Sequence, residues 1–288
     1  MGVLANALME NFGYIVILVS MYLGYCFVNM TSQKQPTATT SINTTTTAEA
    51  KEEEDDETEP PRNFTQKQLL EFNGTRDERL DQDKPVYLSV NGIVFDVSEG
   101  RDFYGPGGPY ELFAGHECGV ALAKMSFDTE FLDDLEGCKN LNYGEKEELE
   151  NWINKFQHWR NYPVMGRLIP DDKMPDPNRI LTIEDLWKNN GEGEVPEGYA
   201  TAPIYIGAHD KVYDMSFGGV IYYGKGCSYN VFAGRNAARA LATMSLKEED
   251  AKNPDISDLD EKKIKVLNDW KKTFEERKNY PIVGRLEV

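Results

Sequence analysis

Two glycine-rich loops, Phe103-Tyr104-Gly105-Pro106-Gly107-Gly108-Pro109-Tyr110 and Tyr222-Tyr223-Gly224-Lys225-Gly226-Cys227-Ser228-Tyr229, each hold two tyrosines six positions apart. A further tyrosine stands near the end of each half of this region, Tyr162 and Tyr280. A free phenol has a pKa of about 10 and is a hydrogen-bond donor at neutral pH. Ionised, it is a hard anionic oxygen ligand for ferric iron, whose own charge favours the deprotonation. Taken alone, such loops are ordinary turns and such tyrosines cap cores. Competing chemistries are poorly provided for. The three histidines, His116, His158 and His209, are too few for a histidine cluster in each half. Cys26 lies in an apolar run, and Cys118, Cys138 and Cys227 show neither CxxC spacing nor a zinc-like cluster. Cys227, two residues before Tyr229, offers a thiolate as an alternative iron ligand, but it has no counterpart in the first loop. No nucleophile and base pair can be defended, and no GxGxxG follows a strand pattern. Acidic residues outnumber basic ones by 49 to 31, and the resulting charge of −18 repels phosphate backbones, which excludes nucleic acid as a partner.

The elements that must position these tyrosines repeat at a period near 118 residues, too long for a solenoid unit and suited to duplicated domains. At 288 residues and 40% hydrophobic content, two domains with packed cores is the expectation. Thr65 and Thr182 read as helix caps with an acceptor three positions on, Gln68 and Asp185. Residues 86–97 alternate around Asn91-Gly92 and match 204–215 around His209-Asp210, so each half has a hairpin and His209 sits on a surface turn. Phe113-Ala114-Gly115 precedes a short helix over 121–126, and Phe232-Ala233-Gly234 precedes one over 240–245, both closing a pocket. Leu149, Trp152 and Phe156 form one apolar helical stripe, and Leu267, Trp270 and Phe274 another; these are core residues. Near-identical tails, Asn161-Tyr162-Pro163-Val164-Met165-Gly166-Arg167-Leu168 and Asn279-Tyr280-Pro281-Ile282-Val283-Gly284-Arg285-Leu286, end the two units. The boundaries fall at 62–169 and 178–288, joined by a proline-rich linker over 170–177 that keeps two separately folding domains close.

Ahead of them, residues 12–28 form a charge-free apolar run that reads as a transmembrane helix within an anchor over 1–30. A secretory signal is disfavoured because the first ten residues carry Glu10 and no lysine or arginine. Residues 31–61 turn threonine-rich and then acidic (Glu52, Glu53, Glu54, Asp55, Asp56, Glu57), the composition of a disordered tether.

The hairpin, Phe-Tyr-Gly-Pro-Gly-Gly-Pro-Tyr, Phe-Ala-Gly, Ala-Leu-Ala and the terminal Tyr-x-x-x-Gly-Arg-Leu together resemble the membrane-associated progesterone receptor family. The resemblance covers both units, with the first loop the more specific. It implies an α+β fold, two tandem cytochrome b5-like domains with a haem cleft, in a family whose usual layout has one. It also implies haem held by tyrosine: Tyr110, and by alignment Tyr229, as the axial iron ligands, with Tyr104, Tyr223, Tyr162 and Tyr280 as donors or supports. No histidine stands where cytochrome b5 has its His-Pro-Gly-Gly turn, and His116 is answered by Arg235, so it reads as an ordinary helix-start histidine. The loop glycines would let a flat macrocycle lie against backbone. Two departures weaken the site: Lys225, Cys227 and Ser228 replace proline and glycine in the second loop, and Asn161 and Asn279 stand where the family often has a lysine.

The expected function is a non-enzymatic, membrane-anchored haem-binding adaptor or haem carrier of the endoplasmic reticulum. By resemblance, its partners are steroids or sterols, haem-thiolate monooxygenases and a second copy through the haem faces. A phenolate ligand makes electron shuttling less natural than imidazole does. The alternative is a haem-free lipid-binding or interaction scaffold with structural tyrosines. Resemblance, and Lys34 as the first basic residue beyond the span, put both domains in the cytosol. Four Asn-x-Thr sequons, at Asn29, Asn43, Asn63 and Asn73, stand against that orientation.

Overall fold

The computed structural model describes residues 59–287. The anchor over 1–30 and nearly all of the tether lie outside the described residues; among those described, no helix is long and apolar enough to cross a membrane.

In the first unit, β1 (Arg62–Phe64) leads into α1 (Gln66–Leu69), whose start is fixed by a reciprocal cap: Thr65 Oγ1 accepts from Gln68 N, and Gln68 Oε1 accepts from Thr65 N. After a short ribbon over Arg76–Asp77 and Gln82–Asp83, β2 (Tyr87–Val90) and β3 (Ile93–Asp96) form the hairpin. Its turn takes positive φ at both Asn91 (52°) and Gly92 (76°), the geometry that selects Asn-Gly. Then follow α2 (Arg101–Tyr104), α3 (Gly119–Ala123), α4 (Tyr143–Asn154) and β4 (Val164–Leu168). The sheet order is β1-β4-β3-β2: β4 lies at the centre, parallel to β1 and antiparallel to β3. Beyond β2, Ser89 adds a parallel bridge to Glu117.

Residues 178–287 follow a similar order of elements, without the ribbon and with an added helix and a two-residue strand. The elements are α5 (Ile183–Lys188), β5 (Tyr205–Ala208), β6 (Lys211–Asp214), α6 (Val220–Tyr223), β7 (Arg235–Asn236), α7 (Ala238–Thr243), α8 (Glu248–Lys252), α9 (Glu261–Lys272) and β8 (Ile282–Arg285). The sheet runs β8-β6-β5-β7, and a parallel bridge from Ile180 to Arg285 stands where β1 stands in the first unit. Thr182 and Asp185 form the matching cap.

Three local features were not legible in the residue pattern. The short helices expected over 121–126 and 240–245 start and stop earlier, ending at Ala123 and Thr243, and Met125 and Met244 take left-handed φ of 49° and 53° to terminate them. Both long helices widen into a π turn, over Lys155–Trp159 and Thr273–Arg277. The chain then reverses at Asn161 (φ 52°) and Asn279 (φ 50°), so that Tyr162 N and Tyr280 N bond the carbonyls of Phe156 and Phe274, each at 2.9 Å. Asparagine is among the few residues that adopt this backbone readily, which accounts for Asn161 and Asn279 without reference to a ligand. The core of the first unit closes on Phe95, Phe113, Phe156 and Leu149, that of the second on Tyr213, Phe232, Phe274 and Leu267; Trp270 is buried whereas Trp152 is half-buried. Gly166 (φ 150°) permits the central strand: a Cβ there would collide with the Arg62 carbonyl.

The two units also share a polar seam. Asn63, fully buried, donates from Nδ2 to Ser216 Oγ (2.9 Å) and to the Thr201 carbonyl (3.2 Å), and accepts from Ala200 N (2.7 Å). Gln68 Nε2 donates to the carbonyls of Phe217 (2.7 Å), Lys278 (3.1 Å) and Asn279 (3.2 Å). The Arg62 guanidinium lies 4.1 Å above the Phe64 ring and packs against Gly218, and burial lowers its pKa. The sequon at Asn63 is therefore consumed by the fold. The linker, which includes a short turn at Asp171–Lys173, is not what alone keeps the halves together. Chain nicked by protease within 170–177 should elute as one particle in size-exclusion chromatography, and the same nick in Asn63→Ala/Gln68→Ala should let it separate into two. Separation of the nicked wild type would contradict a seam worth the ~1 kcal/mol or more per buried bond expected here.

Candidate functional site

In each unit the short helix before the loop, the loop itself and the reversal after the π turn bring three tyrosines together. Ring centroids of Tyr104 and Tyr110 are 5.8 Å apart and those of Tyr104 and Tyr162 are 6.4 Å apart. In the second unit Tyr223 and Tyr229 are also 5.8 Å apart. Phe156 and Phe274 form the floor beneath them: Phe156 meets Tyr104 and Tyr162 edge-on, and Phe274 meets Tyr223 edge-on and Tyr280 at a tilt. All six tyrosines named from the sequence thus fall into two clusters of three.

The loop glycines answer first to the loop. A Cβ at Gly105 would lie 2.7 Å from the Arg101 carbonyl, and one at Gly108 would lie 2.5 Å from that of Phe103. The turn itself requires Gly105 and Gly108, and of the three only Gly107 has open space around it.

Burial raises the pKa of Tyr104, and the neighbouring Tyr162 adds to the rise; burial also raises Tyr162. Both remain neutral donors at physiological pH. Arg160 pulls both downward, so a cation does stand next to the cluster, one residue before the asparagine. In the second unit burial pushes Tyr223 and Tyr280 far up. Here the cation at the same place, Lys278, lies 5.4 Å from the Tyr222 ring and is itself lowered by burial.

The clusters differ in how they open. Tyr110 is half-buried and stacks on Phe127 (5.7 Å) and Phe113 (6.0 Å). Phe127 and Met125 beside it are 55% and 79% exposed, an apolar rim facing solvent. In the second unit Tyr229 is buried against Trp270 (6.5 Å), and the adjoining cleft, with Phe232, Met244 and Leu246 in its walls, has a volume of about 120 Å³. That is well below the ~300 Å³ at which ligand pockets begin. Tyr223 Oη, Tyr280 Oη and Trp270 Nε1 are buried there with no hydrogen-bond partner among the described residues, as is Trp152 Nε1 in the first unit. Cys227 Sγ lies 3.6 Å from the Val220 carbonyl and burial raises its pKa, which disfavours a thiolate. His116 Nδ1 lies 2.8 Å from Asp133 Oδ2. Sequence reasoning missed Glu117, a fully buried carboxylate that accepts from Asn91 N, Gly92 N, Gly119 N and Ser89 Oγ and thereby fastens the hairpin turn to α3. Its counterpart Asn236 makes similar bonds to His209.

A family model described as "Cytochrome b5-like Heme/Steroid binding domain" matches residues 65–168. The Arabidopsis thaliana "Probable steroid-binding protein 3" is 43% identical over 107 residues, covering 37% of this chain and 97% of that protein. The chain belongs to the cytochrome b5-like heme/steroid binding domain family. Other members of the family include the Schizosaccharomyces pombe "Cytochrome P450 regulator dap1", 40% identical over 113 residues (38% of this chain, 63% of that one). The human "Membrane-associated progesterone receptor component 2" is 35% identical over 130 residues (45% of this chain, 54% of that one). The chain thus spans nearly all of the plant relative and somewhat over half of the other two. The family match lies on the first unit, the one with the open, stacked tyrosine.

A buried hydroxyl without a partner costs about 1–3 kcal/mol. Tyr223→Phe should therefore leave ligand-free protein as stable as the wild type or raise its stability by roughly 1 kcal/mol in urea melts. A clear loss of stability would mean that this hydroxyl is bonded.

Proposed function

We propose that the chain is a membrane-anchored, non-enzymatic adaptor or carrier that holds ferric haem in its first unit through the Tyr110 phenolate, the second unit being a tandem copy of the same domain. The observation that carries this reading is the pairing of a half-buried tyrosine with two neutral phenols in an aromatic cluster that opens to solvent. Tyr110 is the member of that cluster with access from outside; Tyr104 and Tyr162 are the donors that would steady a ligand oxygen beside it. Phe127, Phe113 and Met125 offer an apolar surface for a flat ring system, and Arg160 offers a cation for its negative charge. Haem bound this way supplies a redox-active ferric centre. Every other contribution comes from the chain, which binds the ring, excludes water from its buried edge and keeps protons on Tyr104 and Tyr162.

For the second unit, the burial of Tyr229 against Trp270, where Tyr110 is half-buried, favours a haem-free structural or adaptor role. The apolar run over 12–28 supports anchoring, with both units in the cytosol at the endoplasmic reticulum. The relatives named as a P450 regulator, a steroid-binding protein and a progesterone receptor component support haem-thiolate monooxygenases and steroids or sterols as partners, and the exposed rim supports self-association.

A phenol must lose its proton to bind iron, so hemin affinity should rise with pH, by up to about tenfold per unit. Tyr110→Phe should abolish the Soret shift on hemin addition together with that pH dependence, while Tyr104→Phe should only weaken binding, by roughly 1 kcal/mol. A folded Tyr110→Phe protein with unchanged spectrum and affinity would overturn the assignment.

A further inference from the structure

We infer that the cleft between the two units is a second binding site, for an apolar molecule carrying a single anionic group such as a carboxylate or sulfonate. The cleft has a volume of about 540 Å³ and is bounded by the Asn91-Gly92 turn, Leu135, the stretch from Arg167 to Pro170 and the loop over 197–199. That volume falls within the ~300–1,000 Å³ of small-molecule sites. Leu135, Leu168, Ile169 and Tyr199 give it apolar walls.

Its distinguishing group is the Arg167 guanidinium. The two units set up a direct internal comparison. Arg167 pairs in register with Ile93, and Leu168 N bonds the Gly92 carbonyl at 2.9 Å. In the second unit Arg285 pairs with Lys211, and Leu286 N bonds the Asp210 carbonyl at 3.0 Å. Gly92 and Asp210 are thus the same place in the fold. Asp210 lies 3.8 Å from the Arg285 guanidinium; glycine gives Arg167 nothing, and it has no side-chain hydrogen bond or ion pair among the described residues. The other cations are accounted for: Lys139 is 2.6 Å from Glu136 and also feels Glu197, and Lys173 is 3.4 Å from Asp172. The cleft's two carboxylates, Glu136 and Glu197, face Lys139 and form no ion pair with Arg167, so a half-buried guanidinium is left to select an anion there.

The site is coupled to the seam. Asn63 faces Arg167 across the β1–β4 register, and its side chain holds Ala200, next to the 197–199 wall. Ligand in the cleft therefore bridges both units.

The test is fluorescence titration of the full chain with two probes that differ in one anionic group, 1-anilinonaphthalene-8-sulfonate and the neutral N-phenyl-1-naphthylamine. The wild type should bind the sulfonate more tightly. Arg167→Gln should weaken the sulfonate at least about tenfold and leave the neutral probe unchanged, since hydrogen bonds to charged groups are worth 1.4 kcal/mol or more. Arg285→Gln, the already paired counterpart, should change neither. Circular dichroism checks that each variant is folded. Equal binding of the two probes, no effect of Arg167→Gln, or equal effects of the two arginine variants would overturn the proposal.

Discussion

The central strand of the first unit, Val164–Leu168, is the constraint on which the rest depends. It is hydrogen-bonded on both sides, parallel to Arg62–Phe64 and antiparallel to Ile93–Asp96, and Gly166 has no room for a side chain. Its position is therefore fixed by backbone sterics. Immediately before it, the reversal at Asn161 delivers Tyr162 to the tyrosine cluster; on it, Arg167 is carried to the opposite end of the unit. The strand beside it carries Asn63 into the second unit. The first tyrosine cluster, the cleft that Arg167 lines and the seam are thus referenced to one short segment.

The two tyrosine clusters use the same scaffold with different outcomes. Phe127 stands in the first unit where Leu246 stands in the second, and the partly exposed Tyr110 corresponds to a Tyr229 packed on Trp270. One cluster keeps an aromatic face toward solvent. The other has folded inward, leaving hydroxyls and an indole nitrogen unsatisfied. Gln68 of the first unit also bonds the carbonyls of Lys278 and Asn279, the residues leading to Tyr280, which ties the second cluster's outer edge to its neighbour. The proposed division of roles, with binding in the first unit and support from the second, rests on this difference in exposure.

Much of this was legible in the residues. Thr65 with Gln68, Thr182 with Asp185 and the Asn91-Gly92 turn each state their geometry locally, because capping and turn formation are decided by neighbours in sequence. The grouping of the six tyrosines followed from the repeat. The π turns were not legible, since a wide turn continues the apolar spacing of the helix before it. Nor was the seam: Asn63 reads as a glycosylation sequon, and Gln68 as no more than a helix cap, until the second unit is set against them. Glycines at 105 and 108 also relieve contact with carbonyls four and five residues earlier, which spacing does not show.

The central claim, haem in the first unit and a closed second cluster, is tested most directly by the stoichiometry of hemin binding to the full chain. Titration followed by Soret absorbance should saturate at one equivalent per chain, and Tyr229→Phe should leave that endpoint unchanged. Saturation at two equivalents, a lower endpoint on replacing Tyr229, or no saturable binding would contradict the account.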